Sequence, residues 1–121
     1  DPRLRDPRWV RHVARQIADI ARRLHRAHFA HNDFKWRNLL VDGGDEPTVY
    51  LIDCPSGNHY RGAILDYRIV KDLACLDKLA RRHLSRSQRL RFYLDYVQHP
   101  RLTADDRKQI GRIVNFFAGR D

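Results

Sequence analysis

The sequence predicts a mainly α fold of the α+β class: one long amphipathic helix, an irregular loop, a small β-hairpin, and then three more helices. Three observations carry that expectation. Apolar residues recur at helical spacing near the start of the chain and again through its second half, two short β-prone runs flank a Gly-Gly pair between them, and no repeat or low-complexity linker breaks the order. At 121 residues, 42% of them hydrophobic, the chain has enough apolar content for one packed core and too much for a disordered segment.

The first helix is predicted from about Pro7 to Phe29. Val10, Val13, Ala14, Ile17, Ala18, Ala21, Leu24 and Ala27 make its apolar stripe, with Arg11, Arg15, Arg22 and Arg26 off it. Asp6 suits the N-cap and Pro7 the first turn. From Ala30 to Arg37 the periodicity fails and polar and aromatic residues mix, as in a loop. Leu39, Leu40 and Val41 then form one β-prone run and Thr48 to Ile52 a second, joined through Asp42-Gly43-Gly44-Asp45-Glu46-Pro47 as a hairpin. Asp53 ends the second strand, and Cys54 to Gly62, with its Pro, Ser, Gly and Asn, is a loop.

Three helices follow. One runs from Ile64 or Asp66 to His83 with Ile69, Val70, Leu73, Ala74, Leu76, Leu79 and Ala80 as its buried stripe. A second runs from Ser85 to about Val97, and a third from Thr103 to about Ala118. Ser85 with Gln88, and Thr103 with Asp106, have the three-residue spacing of helix-capping pairs.

Net charge is +9, and 20 of the 24 basic residues are Arg, which draws the chain toward polyanions such as nucleic acid, an anionic membrane or a phosphorylated substrate. Those arginines are dispersed rather than gathered in a tail, so charge limits the partners without choosing one. No apolar run approaches a membrane span, and the charged start does not resemble a signal peptide. Two cysteines are too few for a disulfide scaffold and fit a reducing cytoplasm. The sequence contains no Met, so residues 1–121 are expected to be one unit of a longer protein.

The stretch that carries chemistry is His31-Asn32-Asp33-Phe34-Lys35-Trp36-Arg37-Asn38. It has the H-x-D-x-x-x-x-N spacing of a kinase catalytic loop, with a Lys two residues after the Asp. Phosphoryl transfer needs these types: a carboxylate to orient the attacking hydroxyl and take its proton, a Lys to neutralise the transferring group, and oxygen ligands for Mg²⁺. A hairpin of the predicted kind brings Asn38 and Asp53 to one open end, where their oxygens can share a cation. His25, His28 and His31, three apart, offer a rival metal site if they share a helix face.

With these residues in this order, the chain resembles the C-terminal lobe of the protein-kinase-like fold. More narrowly it resembles the bacterial lipopolysaccharide kinase family (the Kdo kinase, WaaP and InaA group). The narrower likeness rests on His31 to Val41, on Tyr50-Leu-Ile-Asp-Cys-Pro-Ser-Gly57, and on Lys71-Asp-Leu-Ala74 with Arg89-Leu-Arg-Phe-Tyr93, and it spans about Val10 to Val97. The resemblance implies Asp33 as the catalytic acid-base residue, Lys35 as a catalytic phosphate contact, and Asn38 and Asp53 as Mg²⁺ ligands in an ATP site that Lys35 also lines. It implies His31 as a structural residue of the loop, and Asp72 as a brace that accepts the loop's backbone hydrogen bonds. The alternative for Asp72 is an ordinary exposed helix Asp.

Departures from the protein-kinase pattern are Cys54-Pro55 after Asp53, a short Cys54–Gly62 segment and no Ala-Pro-Glu, which suit a small-molecule or glycolipid kinase. No Gly-rich phosphate loop, strand Lys or helix Glu is found, so the nucleotide-covering N-terminal lobe is expected to lie outside this chain and the chain alone to be inactive or nearly so. The function implied is ATP- and Mg²⁺-dependent phosphorylation of a sugar hydroxyl in a lipopolysaccharide core. An anionic glycolipid would be the substrate, and the location cytoplasmic, peripheral to the inner membrane. The alternatives are a basic helical module that binds nucleic acid, which leaves the Asp33–Asn38–Asp53 set unexplained, and a pseudokinase scaffold.

Overall fold

A computed structural model describes residues 2–32, 34, 39–41, 47–51 and 57–118. A single 3-10 turn, Pro2–Arg5, leads into α1 (Pro7–Arg26). Two short strands and a hairpin strand pair follow as β1 (Phe29–Ala30), β2 (Leu39–Val41), β3 (Val49–Leu51) and β4 (Asn58–His59). The chain ends in α2 (Gly62–His83), α3 (Arg86–Val97) and α4 (Ala104–Asn115). The predicted α+β order of helix, loop, hairpin and three helices is the order found.

Helix α1 starts where Asp6 accepts a hydrogen bond from the Arg8 amide and Pro7 fills the first turn. It stops three residues short of the expected Phe29. Ala27 caps it, and His28 turns to φ 60°, a left-handed conformation that no helix continues through. Phe29 and Ala30 are therefore extended, and pair antiparallel with His59 and Asn58. The sequence reading puts Phe29 in the helix and Ala30, Asn58 and His59 in loops, because two-residue strands are too short to show alternation. Gly57 leads into β4 against the Phe29 ring, so close that a Cβ there would stand 2.2 Å from a ring carbon. The hairpin itself pairs Leu39 with Leu51 and Val41 with Val49, one residue shorter at Thr48 than expected.

Helix α2 opens earlier than expected, at Gly62, whose φ of +60° is a turn of chain that glycine takes without strain. The other two helices carry the capping pairs read from their spacing. Ser85 exchanges hydrogen bonds with Gln88, and Thr103 with Asp106. Helix α4 stops at Asn115, short of the expected Ala118.

The core gathers Val13, Ile17, Ala18 and Ala21 of α1, Phe34 of the loop, Val49 of β3, Leu73 and Leu76 of α2, and Tyr93 and Tyr96 of α3. Each large apolar side chain buried there contributes about 2 kcal/mol relative to exposure. Leu79, expected in the stripe of α2, is 40% exposed, whereas Asp72, on that stripe, is fully buried. Several arginines join helices. Arg11 pairs with Asp95 across α1 and α3, Arg89 takes Asp77 of α2 with two nitrogens at 2.8 and 2.7 Å, and Arg81 donates to the Val114 carbonyl of α4.

Candidate functional site

The loop beginning at His31 is held from two sides. Behind it, the β1–β4 pair and the Tyr60 amide, which donates to the His28 carbonyl at 2.9 Å, fix the end of α1 against the entry to α2. Below it lies Asp72, halfway along α2 and 0% exposed. One carboxylate oxygen of Asp72 accepts from the His31 amide and the other from the Asn32 amide, each at 2.8 Å. The third donor is His25, whose Nε2 lies 2.9 Å from the oxygen that takes the His31 amide.

A buried carboxylate is costly unless its charge is met by donors, and these three meet it. Because a carboxylate only accepts, the proton of the His25 ring is assigned to Nε2, and Nδ1 faces the Tyr96 hydroxyl of α3 at 2.6 Å. The His25 and Tyr96 rings meet edge to face at 5.6 Å. Burial, with Tyr93 and Asp72 nearby, pushes the Tyr96 phenol well above its ordinary range, so its proton stays available. The line of contacts therefore runs from α3 through α1 and α2 to the backbone of the loop.

Asn32 adopts φ 69°, a left-handed conformation that Asn tolerates better than most residues. Its Nδ2 donates to the Tyr60 hydroxyl at 2.7 Å. On either side of the turn His31 and Phe34 go inward, both fully buried, with rings 5.3 Å apart. The hairpin is fixed to the same frame by Gln16 of α1. Its Nε2 donates to the Pro47 carbonyl at 2.6 Å, and its Oε1 accepts from the Val49 amide at 3.0 Å.

Of the residues singled out from the sequence, the structure brings His31 and Asp72 together, and Asp72 is not the exposed helix residue of the alternative. Asp33, Lys35, Asn38 and Asp53 lie outside the described residues, as do Trp36 and Cys54. Their place in the chain is next to described anchors: position 33 between Asn32 and Phe34, position 38 directly before Leu39, and position 53 two beyond Leu51. Leu39 and Leu51 are partners, so the chain enters and leaves the hairpin at one end.

The rival histidine triad does not form one helix face. Helix α1 ends at Arg26, before His28 and His31, and both ring nitrogens of His25 are engaged inside the protein. No group of three or more His, Cys, Asp or Glu that could hold a metal occurs among the described residues.

Four residues that position the loop were not recognised from sequence: Asn32, Tyr60, Tyr96, and His25 in its structural role. Only His25 had a local signal, since it stands four residues after Ala21 and seven after Ala18, a polar ring in register with the apolar stripe of α1; its partners come from 47 and 71 positions away.

With this geometry in place, comparison with known proteins adds one match. The family model described as Lipopolysaccharide kinase (Kdo/WaaP) family matches residues 3–96. No curated protein and no solved structure gives a match to the chain.

Proposed function

The chain belongs to the lipopolysaccharide kinase (Kdo/WaaP) family, and on that premise we propose that it is the C-terminal lobe of an ATP- and Mg²⁺-dependent kinase that phosphorylates a sugar hydroxyl of a lipopolysaccharide core. The observation that carries this proposal is the Asp72 carboxylate with the His31 and Asn32 amides on its two oxygens. That contact fixes the backbone immediately before Asp33. A catalytic carboxylate is useful only when held within a fraction of an ångström of the hydroxyl it serves.

On this proposal Asp33 orients the acceptor hydroxyl and accepts its proton as the oxygen attacks the γ-phosphorus, while the bond from that phosphorus to the bridging oxygen breaks and ADP leaves with the electron pair. Lys35 offsets the charge on the transferring group. Asn38 and Asp53 are hard oxygen donors of the kind Mg²⁺ takes, and bound Mg²⁺ would supply charge for the nucleotide phosphates. His31 is structural, with its ring in the core and its amide on Asp72. The substrate is an anionic glycolipid, met at the cytoplasmic face of the inner membrane. A nucleic-acid role draws no support from the family match.

The test is transfer of labelled phosphate from ATP to lipopolysaccharide by the product of the complete reading frame. Asp33→Asn is expected to lower the rate by about 10² to 10⁴ with nucleotide binding retained. Mg²⁺-dependent nucleotide binding with no transfer by the wild type would overturn catalysis and leave the pseudokinase scaffold.

A further inference from the structure

Helix α2 starts ten positions before Asp72, and one side of those first turns is not covered by the core. Ile64 is 61% exposed and Tyr67 43%, while Leu65 beside them is buried. Positions 61, 64, 67, 68 and 71 follow helical spacing, so Arg61, Ile64, Tyr67, Arg68 and Lys71 form one stripe. Tyr67 continues it onto the far end of α4, where its ring lies 5.5 Å from that of Phe116.

The stripe also reaches the catalytic loop. The Arg68 guanidinium stands 5.1 Å over the Tyr60 ring and 6.0 Å from that of Tyr67, and Tyr60 is the residue whose hydroxyl holds the Asn32 side chain. Neither Arg61 nor Arg68 has a carboxylate partner among the described residues, and Arg68 Nε is buried with no hydrogen bond there. This contrasts with Arg11, Arg22, Arg23, Arg81, Arg89 and Arg91, all of which pair with an aspartate.

We infer that this stripe docks the protein on an anionic lipid bilayer, which places the catalytic loop beside the surface that carries its acceptor. The inference rests on the proposed function in one respect, that the acceptor is a membrane-borne glycolipid. Charge complementarity selects the occupant. Arginines with no carboxylate partner among the described residues, set around an exposed Ile and Tyr, match an interface where headgroups take the cations and the apolar side chains enter the acyl boundary. Tyr suits that depth, with an apolar ring and a polar tip. The acid of these turns, Asp66, is exposed but two positions from Ile64, and so lies off the stripe.

Co-sedimentation of the 121-residue chain with phosphatidylcholine vesicles, with and without phosphatidylglycerol, tests this inference. Binding is expected only with the anionic lipid. Ile64→Glu combined with Tyr67→Glu should weaken it at least tenfold, and Arg61→Gln and Arg68→Gln by about fivefold each. Leu90→Glu on α3, also at an exposed apolar position, should leave it intact. Arg61, Ile64, Tyr67 and Leu90 are exposed and Arg68 is half-buried against Tyr60, so circular dichroism is used to check that each variant is folded. Equal binding to neutral vesicles, or binding undiminished by the double variant, overturns the inference. Binding to soluble polyglutamate with none to vesicles overturns it in favour of an acidic protein partner. No phosphate is transferred in this measurement, so a failed kinase assay and a failed docking surface are separate results.

Discussion

Asp72 and Asp106 are two buried aspartates with nearly the same kinds of partner and opposite reach. Asp72 accepts from two backbone amides and Asp106 from one, each takes a histidine ring, and a tyrosine hydroxyl joins each cluster, directly at Asp106 and through His25 at Asp72. Asp106 takes the Thr103 amide at 2.9 Å, His99 at 2.7 Å and the Tyr93 hydroxyl at 3.3 Å, all from within 13 positions. Asp72 takes its three donors from 40 to 47 positions away. The first closes the start of one helix. The second fixes the relation between a helix and a loop, so its loss is felt where α1, α2 and the loop meet. Identical chemistry thus builds an element in one place and a site in the other, and sequence separation decides which.

The largest effect should follow Asp72→Ala. It leaves two backbone amides and the His25 ring buried without an acceptor, at a cost of about 3–5 kcal/mol in urea unfolding. A loss no greater than that of Asp106→Ala would erase the distinction between the two sites.

Asp106→Ala removes a helix cap and should cost about 1–2 kcal/mol. Its pH dependence sharpens the contrast. Burial raises the Asp106 carboxyl, but the Thr103 backbone bond, His99 and the Thr103 side chain together outweigh it, so the group titrates below its ordinary range. Because the folded value is the lower one, the stabilisation is complete above the ordinary carboxylate range and disappears as pH falls through the folded value. Thermal midpoints followed through that acid window should decline less for Asp106→Ala than for the wild type. Parallel declines would mean that Asp106 is not the group responsible.

The smallest effect is expected of Tyr96→Phe, about 1 kcal/mol for one hydrogen bond. Its diagnostic is local. Hydrogen exchange should quicken at the His31 and Asn32 amides more than in α3 or α4. Uniform exchange across the chain would show that α3 has no part in holding the loop.

The same contrast explains what could be read beforehand. Thr103 and Asp106, or Ser85 and Gln88, stand three apart, and a helix start imposes that spacing, so both caps are visible in the sequence. The stripes of α1 and α2 are visible for the same reason, apart from Leu79, which is 40% exposed. His25, Asp72 and Tyr96 meet only after three helices have packed, and no local period records that. Asp72 entered through family likeness alone. The pairing of β1 with β4, and the left-handed turn at Asn32, are likewise products of tertiary contact acting on residues with weak preferences of their own. The candidate set Asp33, Lys35, Asn38 and Asp53 follows from motif spacing, the hairpin's open end and family likeness; its members lie outside the described residues, and the structure describes the anchors beside them.

The continuity of α2 has a metric consequence. Ile64 and Asp72 lie eight residues apart on one unbroken helix, about 12 Å along its axis. On the proposed docking the stripe runs along the side of this helix from position 61 to 71, so the axis would lie along the lipid plane and the 12 Å would be a lateral offset. A helix lying on a bilayer in that way would act as a ruler within the plane, holding the loop at one set distance from the docked apolar pair.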